Sequence, residues 1–254
     1  MMTALLAAAG FGAGFVDAIA GGGGLLTVPA LLAAGLPPIL MLGTNKAQST
    51  IGTSIAVWRY HKGGLIEWRL IWRSILGSAI GAALGATLVQ HIHASTLRAI
   101  IPVLMIGTII YFLVSPRMTD ADAHARLSAK SFAPIGGLMG FYDGFFGPGT
   151  GSITAACLVE LVGMGLKRAT GNTKALNLTS NIVALILFAA AGQMLWLVAL
   201  IMGLANCVGA WLGSHLALKH GAAVIRPLLI LVSLALTVHV ALDPAGPVRH
   251  WLGY

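Results

Sequence analysis

Long apolar runs, broken by glycine clusters and short basic or polar stretches, make up nearly all of this 254-residue chain. From Ser74 to Leu97 there are 24 consecutive residues without Asp, Glu, Lys or Arg. That exceeds the roughly 20 residues a helix needs to cross a hydrocarbon core of about 30 Å. The pattern predicts a glycine-broken segment at about 3–36, followed by helices at about 41–60, 69–92 and 97–115. A second broken segment follows at about 131–165, then helices at about 170–191, 194–218 and 224–242. The expected fold class is all-α, a polytopic membrane protein with about eight membrane segments.

The two sets of elements are copies of one another. Gly14, Phe15, Asp17, Gly21 and Gly23 recur 126 residues later as Gly140, Phe141, Asp143, Gly147 and Gly149. At a separation of 128, Gly43, Lys46, Ala47, Gly64, Trp68, Gly81, Gly85 and Arg98 match Gly171, Lys174, Ala175, Gly192, Trp196, Gly209, Gly213 and Arg226. Apolar matches are cheap in a membrane sequence, but charged residues, tryptophans and glycine doublets in one order are not. The expected organisation is a first transmembrane repeat at 1–115, a polar linker at 116–130 and a second repeat at 131–254. Small residues recur every four positions at Gly77, Gly81 and Gly85 and at Ala205, Gly209 and Gly213. Such stripes admit close helix packing and predict helices at the centre of the bundle.

Composition agrees and narrows the options. Hydrophobic residues are 57% of the chain and charged ones 9%, with a mean hydropathy of +0.90. Soluble domains carry about a quarter charged residues. The net charge of +8 sits at span edges rather than in one patch, so positive-inside topology explains it better than nucleic acid does. The loop after the second segment holds Arg59, Lys62, Arg69 and Arg73, whereas the matching loop at Gly192 holds no basic residue. In the second half the charge moves to Lys167 and Arg168 and to Lys219 and Arg226. Opposite bias in matching loops predicts an inverted repeat, with both termini outside. The apolar N-terminus lacks a basic leader and reads as retained structure. Cys157 and Cys207, in apolar segments without CxxC or Cys/His spacing, read as buried small hydrophobes.

Glycine-rich backbone at membrane depth leaves polar groups unsatisfied unless it lies inside protein or lines a watery cavity. Here it occurs twice, at "AGGGG" and "FGPGTGS". Opened helices present N–H groups and positive dipole ends to anions, so Gly22, Gly23, Gly149, Thr150, Gly151 and Ser152 are candidate substrate contacts. Thr27 and Thr154 are additional hydroxyl donors, and tight packing is the alternative role for the glycines. "GPGTGS" lacks the GK[ST] ending of a nucleotide-binding loop. Asp17 and Asp143 each precede a break by one turn, and either couple transport to protons or cap the opened backbone. Lys46 in "GTNKAQST" and Lys174 in "GNTKALNLTSN" start the next helix of each half, alongside Gln48, Ser49, Thr50, Thr53, Asn172, Asn177, Thr179, Ser180 and Asn181. The lysines either hold an anion, together with Asn172 and Asn177, or snorkel or pair with Asp17 and Asp143. His91 and His93 read as interfacial rather than metal-binding; Glu160 reads as near-surface, and Arg98 and Arg226 as topology anchors. No metal or cofactor is expected.

These repeated motifs resemble the sulfite exporter TauE/SafE family of membrane permeases. The residues that carry the resemblance are "GFVDAIAGGGGLLTVPALLAAGLPP" with "GTNKAQS", and "GFYDGFFGPGTGS" with "ATGNTKALNLTSN", together with "GAWLG" and "RPLLILVSLAL". The arrangement is especially similar to the family's widespread bacterial permease branch. The resemblance implies a multi-pass protein of the bacterial inner membrane whose relatives are linked to sulfite, sulfonates and similar sulfur-containing anions. The expected function is a secondary transporter exporting a small anion by alternating access, with protons as a candidate coupling ion. An anion-selective channel is the alternative. An intramembrane aspartyl protease fits less well, because a GxGD motif is absent and both aspartates sit beside repeated glycine breaks.

Overall fold

Nine helices account for most of residues 2–114, 120–122 and 124–221, the part of the chain described by a computed structural model. The first broken segment becomes α1 (Met2–Ala20) and the short α2 (Gly24–Ala33), parted at residues 21–23. Then come α3 (Pro38–Lys62), which opens with proline in its first turn, α4 (Trp68–Gln90) and α5 (Ala94–Val114). The second broken segment becomes α6 (Ala133–Phe145) and α7 (Thr150–Val162), parted at residues 146–149 and followed by α8 (Leu166–Ala190) and α9 (Trp196–His220). The helix expected at 224–242, with Arg226, lies outside the described residues.

Among the described residues, four helices, α1, α4, α8 and α9, are long and apolar enough to cross a membrane. Polarity is turned inward. Thr44, Asn45, Lys46, Gln48 and Thr53 of α3 and Asn172, Thr173, Lys174, Asn177, Ser180 and Asn181 of α8 are all buried. The exposed side chains of α4 include Leu76, Ile80, Leu84 and Leu88, and those of α9 include Leu197, Leu200, Leu204 and Val208. Apolar stripes of this size suit lipid rather than water. The chain is therefore a multi-pass membrane protein.

The glycine stripes set the packing. α1 lies against α9, and α6 lies against α4. A Cβ on Gly10 or Gly14 would meet the carbonyl oxygens of Met202 or Asn206, while one on Gly209 or Gly213 would meet those of Phe11 or Phe15. The other pair matches: Gly136, Gly140 and Gly144 face the backbone of Ser74, Ser78 and Ala82, and Gly81 and Gly85 face Gly137 and Phe141. Each pair joins a helix from before the linker to one from after it. α4 and α9 are closely packed as expected, but they are not central, because each also has an exposed apolar stripe. The middle belongs to α3 and α8, which pack on each other and carry the side chains that lipid would penalise most.

Candidate functional site

Both breaks depend on left-handed backbone, at φ 79° for Gly21, 103° for Gly147 and 83° for Gly149. Only glycine adopts these values without strain. The two breaks come from different parts of the sequence and touch where the first loop meets the first turn of α7: a Cβ on Gly21 would lie 2.6 Å from Gly151, and one on Gly151 would lie 2.6 Å from Gly21 Cα. Ser152 ties them by donating to the carbonyl of Ala20 at the end of α1.

The lysines of α3 and α8 cross over to these breaks. Lys46 Nζ donates to Asp143 Oδ1 at 2.8 Å and to Asn181 Oδ1 at 3.2 Å. Lys174 Nζ donates to Asp17 Oδ2 at 3.0 Å and also to the backbone carbonyl of Asp17. Each lysine thus holds the aspartate of the other repeated motif. Asp143 also accepts from Ser180 and, at 3.4 Å, from Thr150, whose hydroxyl donates to the Gly147 carbonyl at 2.6 Å as well. The four side chains balance in formal charge, as buried ions must unless a ligand completes them.

Between the loops and the two central helices lies a cavity of about 30 Å³, room for about one water molecule. Asp17, Asp143, Lys46, Asn177, Asn181 and Gly151 line it, with Gly21, Gly24, Gly147, Asn45, Ser49 and Thr53. Asn45, Ser49 and Thr53 are one turn apart along a single face of α3, and Asn177 and Asn181 repeat that spacing on α8.

Of the candidate residues, the structure brings Asp17, Asp143, Lys46, Gly151 and Asn177 to this cavity wall. Lys174, Thr150 and Ser152 are buried just behind it, in the hydrogen bonds described above. Gly149 caps the start of α7, and a Cβ there would run into Thr108. Gly22 and Gly23 are buried, and Gly23 faces α1, where an added Cβ would lie 2.6 Å from the Ala13 carbonyl and 2.7 Å from Asp17 Cβ. Thr27 donates to Asn45 Oδ1 at 2.5 Å, whereas the hydroxyl of Thr154 has no partner among the described residues.

Asn172 stands apart from the cavity wall. Its Oδ1 accepts the backbone N–H of Glu67 at 2.8 Å, pinning the α3–α4 connection to α8. The repeat equivalent is Thr44, whose hydroxyl accepts the N–H of Leu195 at 3.0 Å and pins the α8–α9 connection to α3. The linker is also docked. Asp122 accepts the N–H of Gly165 at 2.7 Å at the start of α8, and Arg168 bridges Glu67, at 2.5 Å, and Asp122. Arg98 and Glu160 are exposed, His91 bonds its own helix at the Thr87 carbonyl, and both cysteines are free and half-buried. No cluster that could hold a metal occurs among the described residues.

Sequence reasoning did not select Asn45, Gly21 or Gly24 as site residues. The available signal was the i, i+4 series beginning at Asn45. A glycine run by itself does not reveal which member faces the cavity.

Comparison with known proteins gives a consistent result. The sequence profile of the family described as sulfite exporter TauE/SafE matches residues 6–240. A Sinorhizobium protein named "Probable membrane transporter protein ORF9" is 44% identical over all of this chain and 97% of its own length. "Probable membrane transporter protein YfcA" of Escherichia coli K12 is 42% identical over 95% of this chain and 90% of its own. A Haemophilus influenzae protein named "Probable membrane transporter protein" is 40% identical over 95% of each chain. No solved structure matches. With the buried polar centre and lipid-facing stripes, these matches make the chain a membrane transporter, and it belongs to the sulfite exporter TauE/SafE family.

Proposed function

We propose that the chain is a secondary transporter that exports a small anion from the bacterial cell across the inner membrane, with sulfite or a sulfonate as the lead substrate class. The observation that carries this reading is the pair of crossed lysines, Lys46 on Asp143 and Lys174 on Asp17, flanking a cavity at two touching helix breaks. Buried cations and opened backbone N–H groups together favour an oxyanion. The family name supports the sulfur-containing class.

Residues 1–115 and 131–254 act as two repeats of inverted orientation, joined by the linker at 116–130, with eight membrane segments in all. Rocking of one repeat against the other alternates access to the cavity. The matched contacts of α1 with α9 and of α6 with α4 support this arrangement, as does the opposite charge bias of the loops at Lys62 and Gly192. A cavity of one-water size favours a gated carrier over an open anion-selective channel. The pairing of each aspartate with a lysine argues against a protease dyad, in which two carboxylates share a proton.

Flux of sulfite, methanesulfonate, thiosulfate, sulfoacetate and taurine into proteoliposomes, with and without a pH gradient, tests the reading. Saturable movement of at least one anion is expected. Movement of none would remove the substrate class.

A further inference from the structure

The two crossed pairs differ in how completely the carboxylate is held. Asp143 is occupied on both oxygens, by Lys46 and Thr150 on Oδ1 and by Ser180 on Oδ2, and its side chain is 6% exposed. Asp17 takes one donor among the described residues, Lys174 on Oδ2, and its side chain is 24% exposed. Asp17 lines the cavity, whereas Lys174, 1% exposed and bonded also to the Asp17 carbonyl, does not.

Among the described residues, the other charged and titratable groups near Asp17 are held elsewhere or paired. Lys46 and Asp143 line the same cavity and are paired to each other. Tyr60 of α3 donates its hydroxyl to the Ala18 carbonyl at 2.9 Å. His215 of α9 is turned to Arg59 at 2.9 Å, and Glu160 of α7 is exposed.

With both lysines protonated and both aspartates ionised, the site is neutral. An anion entering it would leave one uncompensated negative charge in a narrow, weakly solvated space, which is costly. A proton on Asp17 removes that cost: the site becomes +1 before the anion enters and neutral afterwards.

We infer that Asp17 is the proton carrier of this transporter, loading one proton together with each monovalent anion, while Asp143 stays ionised and positions Lys46. The proton arrives from solution on the partly exposed carboxylate of Asp17, and Lys174 keeps its own proton and its bond to the backbone carbonyl. Proton and anion then leave together on the other side, so that a monovalent anion moves without net charge and export runs down the anion's own gradient rather than on the proton gradient. This inference rests on the anion-transport reading and assigns its coupling ion to one side chain.

The test is calorimetric binding of methanesulfonate, which stays ionised near neutral pH, to the full chain in detergent. Because the anion binds the form protonated at Asp17, affinity falls as pH rises. The dissociation constant should increase about tenfold per pH unit, and repeating the titration in buffers of different ionisation heat should give uptake of about one proton per anion. In Asp17→Asn, which mimics the neutral side chain, binding should show a flat pH profile and take up no proton. A flat profile in the unmodified chain, or a slope retained in Asp17→Asn, overturns the assignment and leaves anion transport standing. If neither methanesulfonate nor sulfite binds either protein at any pH, both readings fall.

Discussion

Lys46 and Asp143 lie 97 residues apart in the chain and meet at 2.8 Å in the middle of the protein. The lysine comes from α3, the second helix after the first glycine break, and the aspartate from α6, the helix that ends at the second. Lys174 and Asp17 make the reciprocal contact at 3.0 Å over 157 residues. Neither ion pair can form within one half, so the pairs couple the integrity of the site to the docking of the two parts.

Removing one member of the tighter pair exposes this coupling. Lys46→Ala leaves Asp143 buried without its cation, and loss of one partner of a buried pair costs about 3–5 kcal/mol. Thermal unfolding in detergent should show a large drop in Lys46→Ala, and flux should vanish. The double variant Lys46→Ala/Asp143→Ala should recover part of the stability and none of the flux. A double variant as unstable as the single one would show that the pair is not what Lys46 stabilises.

Lys174→Ala should be milder in stability, because Asp17 is already 24% exposed and can take water. The expected loss is about 1–2 kcal/mol, below that of a fully buried pair. Flux should be lost all the same. Near-normal flux from a stably inserted Lys174→Ala protein would remove this lysine from the site.

Glycine substitutions separate close contact from backbone strain. Gly21→Ala puts a Cβ 2.6 Å from Gly151 and also strains a φ of 79°, whereas Gly35→Ala strains a φ of 81° with nothing within 4 Å. Strain alone costs about 1–2 kcal/mol. Gly35→Ala should therefore insert and transport with modestly reduced thermal stability, while Gly21→Ala should lose flux. Equal behaviour of the two would mean that contact between the loops is not required.

Asn172 and Thr44 are expected to act on loop position rather than on the ligand. Asn172→Ala orphans the Glu67 N–H and Thr44→Val that of Leu195, at about 1–3 kcal/mol each. Melting temperatures should fall while the apparent KM for the transported anion stays near that of the unmodified protein. A large rise in KM with unchanged stability would place Asn172 against the substrate.

Orientation is open to direct labelling. Gly64 and Gly192, both exposed loop residues, occupy matching places in the two repeats. Single cysteines introduced at these positions, with Cys157 and Cys207 replaced by serine, should react with an impermeant reagent from opposite sides of the membrane. Labelling from one side would end the inverted-repeat reading.

Much of the architecture was legible in one dimension. The uncharged run from Ser74, the glycine doublets and the proline pair at 37–38 mark elements within a few residues of α1 to α9, because hydrophobic length and helix-breaking residues act locally. The series Asn45, Ser49, Thr53 and the pair Asn177, Asn181 mark a polar helix face for the same reason. The glycine stripes of α4 and α9 predicted close packing rightly and a central position wrongly. A stripe of small residues specifies how near a neighbour comes, and says nothing of what covers the other faces of the helix.

The sequence by itself determined that this is a repeated, helical membrane protein with two aspartates beside two helix breaks and two lysines on the helices that follow. Only the tertiary structure decided which lysine holds which aspartate, that Gly21 of the first break touches Gly151 at the start of α7, and that Asp17 is left more exposed at the cavity than Asp143. The reason is physical. Apolar length, glycine and charge act through neighbours in the chain. The pairing of buried ions depends on the packing of helices remote in sequence, α1 on α9 and α4 on α6 around α3 and α8.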